Sequence, residues 1–160
     1  MSDLHVAPAP MSALSPDEIL ATLAAHDARN ASLRAANKAA LFAILAASGI
    51  THVVVEFDGS GDSGQIESIG ARAGDAAIDL PDATVAMTVV EWGATEPVTH
   101  ELPLPDVIEQ FAYDLLGDTH GGWANNDGAY GDFIFDVAVG TISLEFHERY
   151  VATESYTHEF

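Results

Sequence analysis

Apolar residues in the first fifty positions recur at helical spacing: Ile19, Leu20, Leu23, Leu33, Leu41, Ile44 and Leu45, with alanines filling between them. Ser15-Pro16-Asp17-Glu18 opens this stretch as a helix start, because Ser15 can cap, Pro16 suits the first helical position and Glu18 completes a capping box. The pattern runs to about Ala47, with Gly49 as terminator. Helix formers thin out at Asp27–Ser32, so one long helix and a pair of shorter ones both fit. Residues 1–14, with Pro8 and Pro10 among small residues, read as a flexible tail before a single domain over 15–160.

The period then changes from helical to alternating. His52–Phe57 is β-branched and predicts a strand, Asp58–Gly64 a loop, and Gln65–Ile69 a returning strand. Residues 70–82 read as irregular, Thr84–Trp92 as a third strand and Val98–Leu102 as a short fourth. A second helix is expected from Asp106 to about Gly117, with Val107, Ile108, Phe111, Leu115 and Leu116 on one face. After a Gly/Asn/Asp loop at Trp123–Gly131 comes the clearest hairpin. Phe133, Phe135 and Val137 alternate with Ile134 and Asp136, and Ile142, Leu144 and Phe146 alternate with Ser143, Glu145 and His147. The order predicts an α+β fold: an antiparallel sheet of about five or six strands, with an N-terminal helix or helix pair and a second helix packed on one face.

Charge changes this picture more than composition does. The 160 residues are 48 % hydrophobic, enough to build a core, but 25 acidic residues face 5 basic ones. Residues 73–160 hold Arg149 as their one base. Such a field repels nucleic acid and anionic membranes and favours basic protein surfaces or cations. No cysteine is present, which excludes a disulfide framework, a thiolate zinc site and a cysteine nucleophile. The N-terminus lacks the basic start and apolar stretch of a secretory signal, and Ala39–Ala47 is too short to span a bilayer. A cytoplasmic protein is the expectation.

Candidate chemistry concentrates in the two polar loops and the last hairpin. Gly59-x-Gly61-x-x-Gly64 matches the dinucleotide fingerprint in letters, but a strand follows it where the fingerprint needs a helix, and Asp58 and Asp62 would repel phosphates. Asp58-x-Ser60-x-Asp62 opens like a calcium loop, yet the sixth and twelfth positions hold Ser63 and Ile69 instead of glycine and glutamate. A looser oxygen-rich site for calcium or magnesium could still form from Asp58, Asp62, Glu67, Asn126 and Asp127. Turn chemistry alone accounts for the same residues. Glu145, His147 and Arg149 share one side of the last strand and could serve as acid, base and anion holder; a solvated strand face explains them equally.

Three segments together carry a resemblance: Glu56–Glu67 (EFDGSGDSGQIE), Gly121–Gly131 (GGWANNDGAYG) and Glu145–Tyr150 (EFHERY). Over roughly residues 50 to 160 the chain resembles a family of small bacterial proteins of unassigned function, some carried on mobile elements. The resemblance implies one domain and brings no activity, cofactor or catalytic residue.

Three functional readings follow. The first is an acidic, non-enzymatic module that binds a basic or nucleic-acid-binding protein, in one version an inhibitor imitating nucleic acid, through Asp132, Asp136, Glu145, Glu148, Tyr130 and Tyr150. It needs no cofactor. The second is a divalent-cation protein or metal-assisted enzyme built on the two loops. The third is a metal-free enzyme using the Glu145–His147–Arg149 face.

Overall fold

The computed structural model describes residues 15–160; the expected tail, residues 1–14, lies outside the described residues. The elements are α1 (Pro16–Ala47), β1 (His52–Ser60), β2 (Ser63–Ala73), β3 (Ala76–Ile78), β4 (Thr84–Val89), β5 (Val98–Pro103), α2 (Leu104–Thr119), β6 (Ala129–Asp136) and β7 (Thr141–Glu148). Five strands form an antiparallel sheet in the order β3-β2-β1-β6-β7, and β4 and β5 form a separate antiparallel pair. The α+β architecture expected from the sequence is therefore present, but the strands are divided between two sheets.

The first helix is continuous. At its start the Ser15 hydroxyl accepts from the Glu18 N–H at 3.2 Å, and the Glu18 carboxylate accepts from the Ser15 N–H at 3.1 Å. At its end Gly49 adopts φ +76, which lets the Ile50 N–H reach the Leu45 carbonyl and the Gly49 N–H reach the Ala46 carbonyl, each at 3.0 Å. Only the C-terminal half sinks into the molecule, where Leu41 and Leu45 are fully buried. Ile19, Leu20 and Leu23, which the helical period marks as apolar, are instead exposed.

Two asparagines hold α1 against the free edge of β4. The Asn37 carboxamide accepts from the Thr88 N–H at 2.9 Å and donates to the Thr88 carbonyl at 2.8 Å. One face higher, the Asn30 carboxamide makes the same pair with Val90, at 2.9 and 3.3 Å. Side chains seven residues apart share a helix face, while backbone groups two residues apart point to the same strand edge, so two amides can close two rungs. Asn37 is the buried polar residue of the described chain, at 6 % exposure.

The inner sheet face supplies Val53, Val55 and Phe57 from β1 and Phe133 and Phe135 from β6. Against it pack Leu41 and Leu45 of α1, Val85 and Met87 of β4, and Leu104, Val107, Ile108, Phe111 and Leu116 of α2. A bulge at Glu67 separates the pairs Glu56–Ser68 and Phe57–Ile66, and the Ile66 N–H donates to the Tyr113 hydroxyl of α2 at 3.0 Å. The helix therefore grips the sheet at its irregular point.

Several boundaries differ from the sequence reading. Residues 70–82 are not irregular throughout: β2 runs to Ala73 and β3 returns at Ala76–Ile78 around Gly74, φ +63. The third strand ends at Val89, not Trp92, because its last partner is Val98, the first residue of β5, and the chain then turns at Glu91–Ala94. Helix α2 starts at Leu104, two residues before Asp106, since Pro105 fits a first helical turn, and it continues to Thr119.

Replacing Asn37 with alanine leaves the buried Thr88 N–H without its acceptor, a loss of about 2 kcal/mol. Removing the exposed cap with Ser15→Ala is expected to cost about half of that. Urea denaturation of both variants checks the order, and equal losses would mean that the amide does not pin the helix.

Candidate functional site

Strand alternation sends one set of residues inward and the other to an open face. On β1 the outward set is His52, Val54, Glu56, Asp58 and Ser60. The register then decides which side chains meet across strands. Glu56 lies opposite Asp132, and Asp132 lies opposite Glu145, so three adjacent strands carry a carboxylate at the same level. Directly opposed side chains have Cβ atoms about 5 Å apart. The Ser68 hydroxyl donates to Glu56 at 3.1 Å on one flank, and His147 Nε2 stands 3.2 Å from Glu145 on the other. Asp132 in the middle has no such partner: its Oδ1 is shielded from water and makes no hydrogen bond. That is an unusual condition for a carboxylate oxygen.

The next level holds Asp58, Tyr130 and His147. Tyr130 stacks on the His147 ring, centroids 4.8 Å apart, and the Arg149 guanidinium lies 4.6 Å from the Tyr130 centroid. Arg149 is clamped by Asp58 through a bidentate pair at 2.9 and 3.1 Å and also donates to the Gly59 carbonyl at 3.2 Å. Hydrogen bonding to Asp58 raises the Arg149 pKa above its ordinary value, with desolvation opposing. Glu56, Asp58, Glu67, Asp132, Glu145 and His147 with Tyr130 line a shallow basin of about 350 Å³ on this face.

Of the expected partner-binding residues, Tyr130, Asp132, Asp136 and Glu145 therefore share the open face. Glu148 does not: it falls on the opposite parity, beside Asn126 and Asp127 in a smaller recess of about 160 Å³. Tyr150 stands beyond β7 and is exposed. Glu145 and His147 line the basin, while Arg149 is committed to Asp58. Glu56 was not among the candidate site residues of the sequence reading, although its alternation with Asp58 along β1 put it on the outward face.

The two polar loops do converge, but through their backbones. The Gly61 N–H donates to the Asn126 carbonyl at 3.1 Å and the Asp62 N–H to the Ala124 carbonyl at 2.9 Å. Asp62 at φ +68 and Gly61 at φ +60 make the tight β1–β2 turn, and Asn126 takes φ +59 in the other loop. Glu67 accepts from Gln65 at 3.0 Å. Among the described residues no three His, Asp or Glu side chains are grouped so as to hold a metal ion. The glycines have a packing reason. A Cβ on Gly59 would lie 2.6 Å from the Trp123 ring, one on Gly64 would run into that ring, and one on Gly128 into the Gly59 carbonyl. Trp123 in turn meets Phe57 edge-on at 5.4 Å, so the first glycine-rich segment forms a seat over the core for an indole that the second supplies.

A larger cavity, about 460 Å³, lies between α1, α2 and β4. Its polar groups are largely engaged: Asn30 and Asn37 bond β4, and Arg34 pairs with Asp118 at 2.6 Å. Burial raises the Asp114 pKa, Arg34 opposes that rise and Asp118 adds to it. The sequence signal for this seam was the pair of asparagines seven residues apart in an alanine-rich helix.

Fold and site define an α+β protein with helices closing one sheet face and a carboxylate-lined, open opposite face. The chain belongs to DUF6878, a family of unknown function, which it matches over residues 33–160. No curated protein and no solved structure matches it.

Gly64→Ala is expected to cost about 1–3 kcal/mol, the range for overpacking. Because Trp92 is 60 % exposed, the Trp123 signal is best read in a Trp92→Phe background, where Gly64→Ala should shift the indole emission to the red. Unchanged emission and stability would show that the indole does not sit on the glycines.

Proposed function

We propose that this protein is a non-enzymatic acidic binding module that captures a basic segment of another protein on the open face of its five-stranded sheet. An inhibitor that competes with nucleic acid for such a partner is one form of this activity. The observation that carries the reading is the line Glu56–Asp132–Glu145 across three neighbouring strands, with Asp132 Oδ1 lacking any hydrogen-bond donor. Like charges set directly opposite each other weaken a sheet, and an unpaired shielded carboxylate oxygen weakens it further. An arriving arginine or lysine offsets the opposed charges.

The chemistry suits a guanidinium best. Arginine can bridge two carboxylates through its fork of donors, and its flat face can rest on an aromatic ring. Tyr130 and His147 present stacked rings beside the carboxylate line. Carboxylates repeat at roughly 4.8 Å across the strands and roughly 6.6 Å along one, so a partner with basic residues on one face can meet several at once. Acids elsewhere, such as Glu101 on β5 and Glu109 on α2, add long-range attraction without such alignment.

Glu56→Gln/Asp132→Asn/Glu145→Gln should weaken binding of an arginine-rich peptide by about tenfold or more, measured by fluorescence anisotropy at fixed salt. A control that removes equal charge elsewhere, Asp79→Asn/Asp82→Asn/Glu96→Gln, should change it by less than about threefold. The same triple change on the sheet should raise Tm by about 2–4 °C, because it removes opposed charges. Equal weakening by both sets would reduce the reading to bulk charge and end it.

A further inference from the structure

A strand at the margin of a sheet turns alternate N–H and C=O groups away from its neighbour, where they can pair with another chain. In the five-stranded sheet the marginal strands are β3 and β7. Strand β3 is three residues long and carries no acid. Strand β7 is eight residues long and pairs with β6 along its whole length without a bulge, so its outer edge is equally continuous. Among the described residues no backbone group bonds to that edge, and the asparagines that close β4 have no counterpart on it. Residues 150–160, which continue from β7, are exposed and form no element. Residues 1–14 hold no lysine or arginine and include Pro8 and Pro10, a poor sequence for pairing with an acidic strand.

We infer that the basic segment of the partner binds as an added strand along β7, with basic and apolar residues alternating in its sequence. The inference rests on the reading of the sheet face as a site for such a segment, and it states how the segment lies. The carboxylate line Glu56–Asp132–Glu145 runs across the strands and ends at β7, so it leads to this edge. A basic residue opposite Glu145 has its Cβ about 5 Å from that of Glu145 and roughly 10 Å from that of Asp132, both within reach of a guanidinium. Two residues along, the next basic side chain lies beside His147 and the Tyr130 ring stacked on it. On the other face Ile142, Leu144 and Phe146 are half-buried at the margin of the core, and apolar residues between the basic ones cover them. Main-chain bonds then supply affinity and the alternate side chains specificity. A second copy of β7 fits this edge poorly, because it adds Glu145 and Glu148 to a strand that already holds them. The edge of β5 is also less suited, since its Glu101 already accepts from the Thr84 hydroxyl at 2.7 Å.

A labelled peptide of alternating arginine and valine, matched to the length of β7, tests this when titrated into the full chain. Neighbouring residues of a strand turn their N–H groups to opposite edges, so methyl groups on every arginine nitrogen or on every valine nitrogen block opposite edges. One methylated peptide should bind about tenfold more weakly than the parent, and the other within about threefold of it. Hydrogen exchange should slow on binding at alternate amides of β7 and stay unchanged at Ala76–Ile78. Equal binding by both methylated peptides would remove the added strand, and continued weakening of the parent by Glu56→Gln/Asp132→Asn/Glu145→Gln would leave the sheet-face site standing. A parent peptide that does not bind at all would remove both. Outward amides of β7 that already exchange slowly in the free chain, or a dimer that protects them, would also overturn the inference.

Discussion

A strand with an unpaired edge needs donors and acceptors from somewhere, and for β4 they come from two side chains on a helix. The Asn37 and Asn30 carboxamides each offer one acceptor and one donor, the same pair a neighbouring strand would offer to Thr88 and Val90. Because the edge is closed by α1, β4 and β5 stay a separate pair and do not extend the five-stranded sheet. They form part of the layer that covers its inner face, with Val85 and Met87 inserted between α1, α2 and the phenylalanines of β6. The amide pairs thus fix the position of α1, which in turn fixes which face of the sheet is buried. The opposite face is left open.

Local features of this fold were legible in the sequence, and long-range ones were not. The capping box at Ser15 and Glu18, the apolar face of α2 and the alternation of β6 and β7 each depend on residues within a few positions, and all are present. The thinning of helix formers at Asp27–Ser32 left one helix or two open, and Asn30 shows why it is one. By intrinsic propensity an asparagine weakens a helix, but here its amide bonds to a backbone sixty residues away, and tertiary contact overrides propensity. The end of β4 at Val89 is a long-range matter as well, since it depends on β5 beginning at Val98.

The candidate site divides along the same line. Alternation within the last hairpin was enough to put Asp136 and Glu145 on one face, whereas Tyr130, read as part of the loop ending at Gly131, joins them because β6 begins at Ala129. That Glu56 joins them depends on the register of β1 against β6, which no local pattern encodes. The glycine-rich segments look like ligand loops because tight turns and ligand cradles ask for the same residue. Here the requirement comes from Trp123, whose ring leaves no room for a Cβ at Gly59 or Gly64. Asp58 likewise has a structural partner, since Arg149 ties the end of β7 back to β1. The conspicuous motif builds the scaffold, and among the less conspicuous acids on its outer face Asp132 keeps one oxygen without a partner.

Solubility alone does not account for that outer face. A net charge of −20 keeps a protein dispersed wherever the carboxylates stand. Spacing them around the surface would achieve this without the repulsion of directly opposed pairs. The fold instead lines up Glu56, Asp132 and Glu145 and leaves one oxygen of Asp132 shielded and unpaired, while Arg149, the one base of the C-terminal half, is turned to Asp58. Among the described residues both helices pack on the other face of the sheet, and no lysine or arginine is paired with these three carboxylates. On the proposed reading, the repulsion within the isolated sheet and the affinity for a guanidinium would be two measures of the same unmet interaction.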